Sequence, residues 1–92
     1  MNKEQELLEH LEKIQLGKEK FYQKLKADFI RIIKTHLKDN GWEWTYEWIK
    51  KKRENKFKNS VLGNKMNFLY QSIYSKMWSL NRKEEKLTTK NK

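Results

Sequence analysis

The chain contains no proline, and glycine occurs only at positions 17, 41 and 63. Without proline no helix meets an obligatory break, and glycine is the residue that most readily takes the left-handed backbone at a helix end. The glycines are spaced by 24 and 22 residues, so they divide the 92-residue chain into four segments of helix-hairpin length. No repeat of sequence accompanies that spacing. The division predicts an all-α fold, a small four-helix bundle-like domain over residues 1–81. Residues 82–92, "RKEEKLTTKNK", show neither apolar periodicity nor capping residues and are expected as a flexible basic tail.

Hydrophobic spacing supports helix in each segment. Over residues 3–16, Leu7, Leu8, Leu11 and Ile14 share one stripe, with Asn2 and Gln5 placed as a capping pair and Gly17 as the stop. Over residues 18–39, Phe21, Tyr22, Leu25, Phe29, Ile32, Ile33 and His36 fall within one arc, and Asn40-Gly41 ends the segment. Over residues 64–81, Met66, Leu69, Tyr70, Ile73, Tyr74, Met77, Trp78 and Leu80 span about 180° of a helix, with Phe68 on the far side among serines. This last segment holds no acidic residue and is expected at the centre of the core. Its apolar arc is wider than one bundle face requires, which suggests a homodimer or partner surface through Tyr74 and Trp78.

The third segment, about residues 43–60, carries the stretch "WEWTYEWIKKKR" (residues 42–53) across its start and reads two ways. As a strand it would send Trp42, Trp44, Tyr46 and Trp48 to one side; as a helix, Trp44 and Trp48 stack at i, i+4. A lone strand leaves its backbone groups unpaired and no second β-rich run exists, so helix is expected. Twelve aromatic residues exceed what a core of this size must hold. One or more of Trp42, Trp44 and Tyr46 are therefore expected at the surface beside Lys50, Lys51, Lys52 and Arg53.

Charge points to a partner. The net charge is +10, built from 19 Lys and three Arg against 12 acids, and only residues 1–20 sum to a negative value. On the second segment Lys20, Lys24, Arg31, Lys34 and Lys38 align opposite the apolar arc in a stripe about 80° wide. A row of cations on the outer face of a helix suits a phosphate backbone. Lysine neutralises phosphate without the forked geometry that reads base edges, so weak sequence specificity follows. The same lysine and asparagine excess is also what an AT-rich coding sequence yields.

Catalytic and metal chemistry find little support. There is no Cys, which excludes disulfides and thiolate sites and accords with a reducing cytoplasmic location. No His pair has metal-ligand spacing, and Glu6, Glu9 and Glu12 form a carboxylate row without partner acids. Neither a metal nor a cofactor is expected. The first ten residues lack the order of a signal peptide, and no stretch approaches the ~20 apolar residues of a membrane span. The stretch "RIIKTH", residues 31–36, resembles the Arg-x4-His spacing of HEPN ribonucleases, four-helix proteins that pair such motifs across a dimer. That resemblance implies Arg31 and His36 as catalytic residues. It departs from the family in having Ile32 after the arginine and in closing an early helix.

The expected function is a non-catalytic module that binds nucleic acid or a nucleoprotein complex. Its contacts are the outer stripe of the second segment and Lys50–Arg53, with Trp42, Trp44, Tyr46, Tyr74 and Trp78 for stacking or partner binding. A second expectation is a small inhibitor of the kind mobile elements and phages encode, docking on a host nuclease or CRISPR-type complex. Anti-CRISPR proteins are one such group, similar in small size and lack of catalytic residues. In size, charge and helix content the chain also resembles bacteriocin immunity proteins, which implies action at a membrane surface.

Overall fold

The computed structural model describes residues 2–54 and 61–90, apart from the side chains of 61, 62 and 85–90. Residues 55–60, expected as the end of the third segment, and residues 91–92 of the expected tail lie outside the described part. The fold is all-α, with no strand among the described residues: α1 is Lys3–Lys13, α2 is Lys20–Glu54 and α3 is Val61–Lys90. Three elements stand where glycine spacing predicts four, because the second and third segments form one element. The stretch 42–48 is helical, as the pairing argument required.

Each boundary has a local cause. Asn2 caps α1, its Oδ1 accepting the Gln5 backbone N–H at 2.8 Å, and Glu4 and Glu6 occupy the first turn where the helix dipole favours acids. The helix ends at Lys13, before Gly17, because Ile14 turns extended (φ −67°, ψ 133°). The Lys26 ammonium covers that end, donating to the carbonyls of Glu12 (2.8 Å) and Ile14 (3.1 Å). Gly17 instead makes room in the connecting segment: a Cβ there would lie 2.5 Å from Cδ2 of Tyr22. Gly63 is buried within the first turn of α3 and stops nothing. Nor does α3 stop at Asn81. Residues 82–90 continue the helix where the sequence pattern predicts a tail, since Arg, Lys, Glu and Leu are good helix formers and no Gly or Pro intervenes.

Gly41 shapes the molecule. Its φ of 86° and ψ of 175° lie in a region that only glycine enters readily, and α2 is two helical arms on either side of it, residues 20–40 and 42–54. His36 packs against both Trp44 and Trp48, with ring centroids 5.1 and 4.6 Å apart. Twelve residues of continuous helix advance about 18 Å, so His36 and Trp48 meet only because the chain reverses between them. Contacts with α3 follow the same order. Tyr22 meets Lys65 and Phe29 meets Tyr70 as the first arm runs parallel to α3; then Trp42 bonds Asn81, Tyr46 meets Tyr74 and Trp48 meets Tyr70 as the second arm returns.

The core collects one face of every arm. Leu7 and Leu11 of α1, Ile33 and Ile49 of α2, and Leu69, Ile73 and Met77 of α3 are fully buried. Each such side chain contributes roughly 1.5–3 kcal/mol by leaving water. Buried Thr45 is satisfied at the head of its arm, its Oγ1 donating to the Gly41 carbonyl at 2.8 Å. The buried face of the first arm is rotated from the expected arc. Phe21 and Ile32 are 54% and 42% exposed, while Ile30 and Leu37 are buried. The cause is α1, which packs on the Lys26–Ile30 side through the Lys26 contacts and so draws the core toward Ile30. The radius of gyration, 14.2 Å, exceeds the roughly 12 Å of a compact chain of this length, because the 30-residue α3 sets a long dimension of 48 Å.

Candidate nucleic-acid interface

Residues 20, 24, 31, 34 and 38 recur at intervals of three, four and seven, which in a helix places them on one line. All five side chains are exposed on the first arm of α2. From Lys20 to Lys38 the row is about 27 Å long at 1.5 Å per residue. Arg31 donates to Asp28 at 3.1 Å, an exposed i, i+3 pair, and among the described residues Lys20, Lys24, Lys34 and Lys38 have no carboxylate within ion-pair distance. Not every lysine is available in this way: Lys26 covers the end of α1, and Lys65 donates to the Leu16 carbonyl while lying over the Tyr22 ring.

The run Lys50–Arg53 does not form one patch. Successive helical residues point about 100° apart, so four in a row face all round the second arm. Lys52 lies over the Trp48 ring (5.6 Å) and Arg53 over the Tyr74 ring (4.1 Å). Lys51 faces outward four residues after Glu47, and Lys50 is half-buried.

The aromatic residues separate likewise. Of the three aromatics among which surface residues were expected, Trp42 is buried: its indole N–H donates to Asn81 Oδ1 at 2.7 Å and Lys3 covers the ring at 4.7 Å. It lands inside because it is the first residue after the reversal and falls between the two arms and the end of α3. Tyr46 is half-buried and stacked on Tyr74, centroids 5.5 Å apart and planes 14° apart. Burial, then the hydrogen bond with Tyr74, pushes the Tyr46 phenol up to about 12. Trp44 is 45% exposed on the side where His36 packs, whereas Trp78 is 48% exposed on α3 with the Arg82 guanidinium 5.1 Å from its ring.

Two features escaped the sequence reading. Asn64, Phe68, Gln71, Ser75, Trp78 and Arg82 recur at alternating intervals of four and three and are all exposed, a second outward line on α3. The spacing was available in the sequence, but assigning residues 82–92 to a tail cut Arg82 from it. His10 is the other. It lies between α1 and α3 with a hydrogen bond to the Ser72 backbone, and its buried Nε2 has no partner among the described residues. Burial first, then the nearby Lys76 ammonium, holds its pKa below the ordinary 6.5.

Arg31 pairs with Asp28 on the outer face, and His36 packs against the Trp44 and Trp48 indoles. Among the described residues no group of three His, Asp or Glu could hold a metal ion, and no helix is long and apolar enough to cross a membrane. No family model matches the chain, and neither a curated protein nor a solved structure matches it.

Proposed function

We propose that the protein is a non-catalytic, weakly sequence-specific nucleic-acid-binding module, acting in the cytoplasm, that lays the first arm of α2 along a phosphate backbone. In this reading the two arms of α2, with α1 and α3, act as the four rods of a small bundle whose outer rod carries the charge. The observation that supports it is the row Lys20, Lys24, Arg31, Lys34 and Lys38, straight, exposed and almost free of acidic partners. A helix of that length presents its cations to successive phosphates without deforming. The test is fluorescence anisotropy of labelled duplex DNA and RNA across a salt series. Five phosphate contacts imply a fall in affinity of roughly 10²- to 10³-fold between 50 and 200 mM salt. Salt-independent binding, or none at low salt, overturns the reading.

A second reading draws on different residues. Phe21, Ile32 and Trp44 leave apolar surface exposed along α2, and large exposed aromatics beside aliphatics are the usual anchors of protein interfaces. This surface supports a small inhibitor docking on a nucleic-acid-processing complex. Loss of partner inhibition in Trp44→Ala, with lysine substitutions on the outer row tolerated, is the expected result.

A further inference from the structure

We infer that the outward line of α3 is a stacking surface for single-stranded nucleic acid, separate from the row of cations on α2. The inference rests on the nucleic-acid reading above and deepens it by assigning a second strand form to a second face.

Four observations carry it. Phe68 and Trp78 are 51% and 48% exposed and stand ten residues apart, about 15 Å along one side of α3. Between and beside them the line holds only amide, hydroxyl and guanidinium groups, from Asn64, Gln71, Ser75 and Arg82, with no carboxylate. Two of the chain's three arginines adjoin this face, Arg53 over the Tyr74 ring at 4.1 Å and Arg82 over the Trp78 ring at 5.1 Å, in a protein whose other cations are nearly all lysine. Finally, Arg53, Asn64, Asn67, Phe68 and Gln71 line a groove of about 450 Å³.

The chemistry matches a single strand more closely than the alternatives. An unpaired base offers a flat π-face to Phe68 or Trp78 and an edge of donors and acceptors to neighbouring amides, while its phosphate suits a guanidinium fixed over a ring. In a duplex the bases are already stacked on one another and cannot lie on these rings. Protein interfaces also enrich Phe, Trp and Arg, so what favours a single strand here is that the side chains between the two rings are all polar and none is acidic. A second copy of the chain would set Arg53 and Arg82 against the same residues of its partner.

The experiment titrates the full chain against a labelled 12-nucleotide single strand and a 12-base-pair duplex, at fixed salt, for wild type, Phe68→Ala/Trp78→Ala and Lys24→Glu/Lys38→Glu. Both altered rings are exposed, so thermal melting should match wild type and report that the fold is kept. The expected result is a loss of single-strand affinity of roughly 5- to 100-fold per ring, with duplex affinity within about twofold. A fall in tryptophan fluorescence on adding the single strand should also be absent in Trp78→Phe. Unchanged single-strand affinity in the ring variant overturns the inference and leaves the α2 reading intact, as does equal loss for both strand forms. A wild-type chain that binds neither strand overturns both readings.

Discussion

The indole N–H of Trp42 donates to Asn81 Oδ1 at 2.7 Å, joining the first residue after the reversal of α2 to a residue about two-thirds of the way along α3. Only one residue separates this bond from the backbone of Asn40, so it fixes where the second arm begins its return. Removing the acceptor leaves the donor of a buried ring unsatisfied. Asn81→Leu should therefore cost about 1–3 kcal/mol, whereas Trp42→Phe/Asn81→Leu should cost less than the sum of the two single changes. Urea denaturation of the four proteins of this cycle measures the coupling; strict additivity would show that the bond contributes nothing.

Gly41 is a second determinant, acting through the backbone alone. A Cβ at this position would meet nothing within 4 Å, so the cost of Gly41→Ala comes entirely from φ of 86° with ψ of 175° and should be about 1–3 kcal/mol. D-alanine at the same position, introduced by chemical ligation, has the mirror-image preference and should restore most of that loss. At Gly17 the space is the issue, since the methyl of Gly17→Ala would meet the Tyr22 ring, and that change should destabilise.

How the sequence led to these features, and where it did not, follows from the range of the forces involved. Helix type, the Asn2 cap and the buried positions Leu7, Leu11, Ile33, Leu69, Ile73 and Met77 are local consequences of spacing, and the structure has them where the spacing put them. Among the glycines, Gly41 ends the first arm as its Asn-Gly dipeptide implied, whereas Gly17 makes room for Tyr22 five residues on and Gly63 lies inside a helix. Phe21 and Trp42 exchanged places with the expectation because the docking of α1 and α3 decides which flank of an amphipathic arm is covered. The row of cations on α2 was legible, being a property of one helix. The dispersal of Lys50–Arg53 was legible too, once the segment is helical, because contiguity in sequence is dispersal around a helix.

His10 ties stability to pH. Its folded pKa lies below 6.5 through burial and the nearby cations Lys76 and Lys13, while in the unfolded chain it returns to about 6.5. The unfolded state thus binds the proton more readily. The contribution is fully present above about pH 6.5 and is lost as pH falls toward the folded value. Thermal melts should move to lower temperature between pH 7.5 and pH 5, and His10→Gln should flatten that part of the profile. A variant with the wild-type slope would remove His10 as its cause.

Tyr46 works in the opposite sense at the alkaline end. With its phenol pushed up to about 12 in the fold, the group supports the folded state below about pH 10 and withdraws that support as pH rises toward 12. Ultraviolet titration should show part of the tyrosine signal delayed to higher pH, from Tyr46 and from Tyr70, whose phenol burial also raises. In Tyr74→Phe, which keeps the stacked ring but removes the hydrogen-bonding hydroxyl, Tyr46 should ionise earlier. Identical titration curves for the two proteins would sever the link to Tyr74.

The outer row of α2 makes a prediction that separates position from charge. Lys24→Glu/Lys38→Glu and Lys51→Glu/Lys52→Glu each lower the net charge by the same four units, so an effect of overall charge alone would weaken both pairs equally. The row places Lys24 and Lys38 on one exposed line about 21 Å apart, whereas Lys51 and Lys52 point to different sides of the other arm and Lys52 is engaged by Trp48. If contact with the phosphate backbone is made along the row, the first pair should lower duplex affinity by more than tenfold. It should also reduce the slope of log affinity against log salt by about 1.8, two phosphate contacts' worth. The second pair should shift affinity by only a few-fold and leave the slope nearly unchanged. Equal slopes in the two variants would mean that the protein attracts nucleic acid by its net charge and presents no particular face to it.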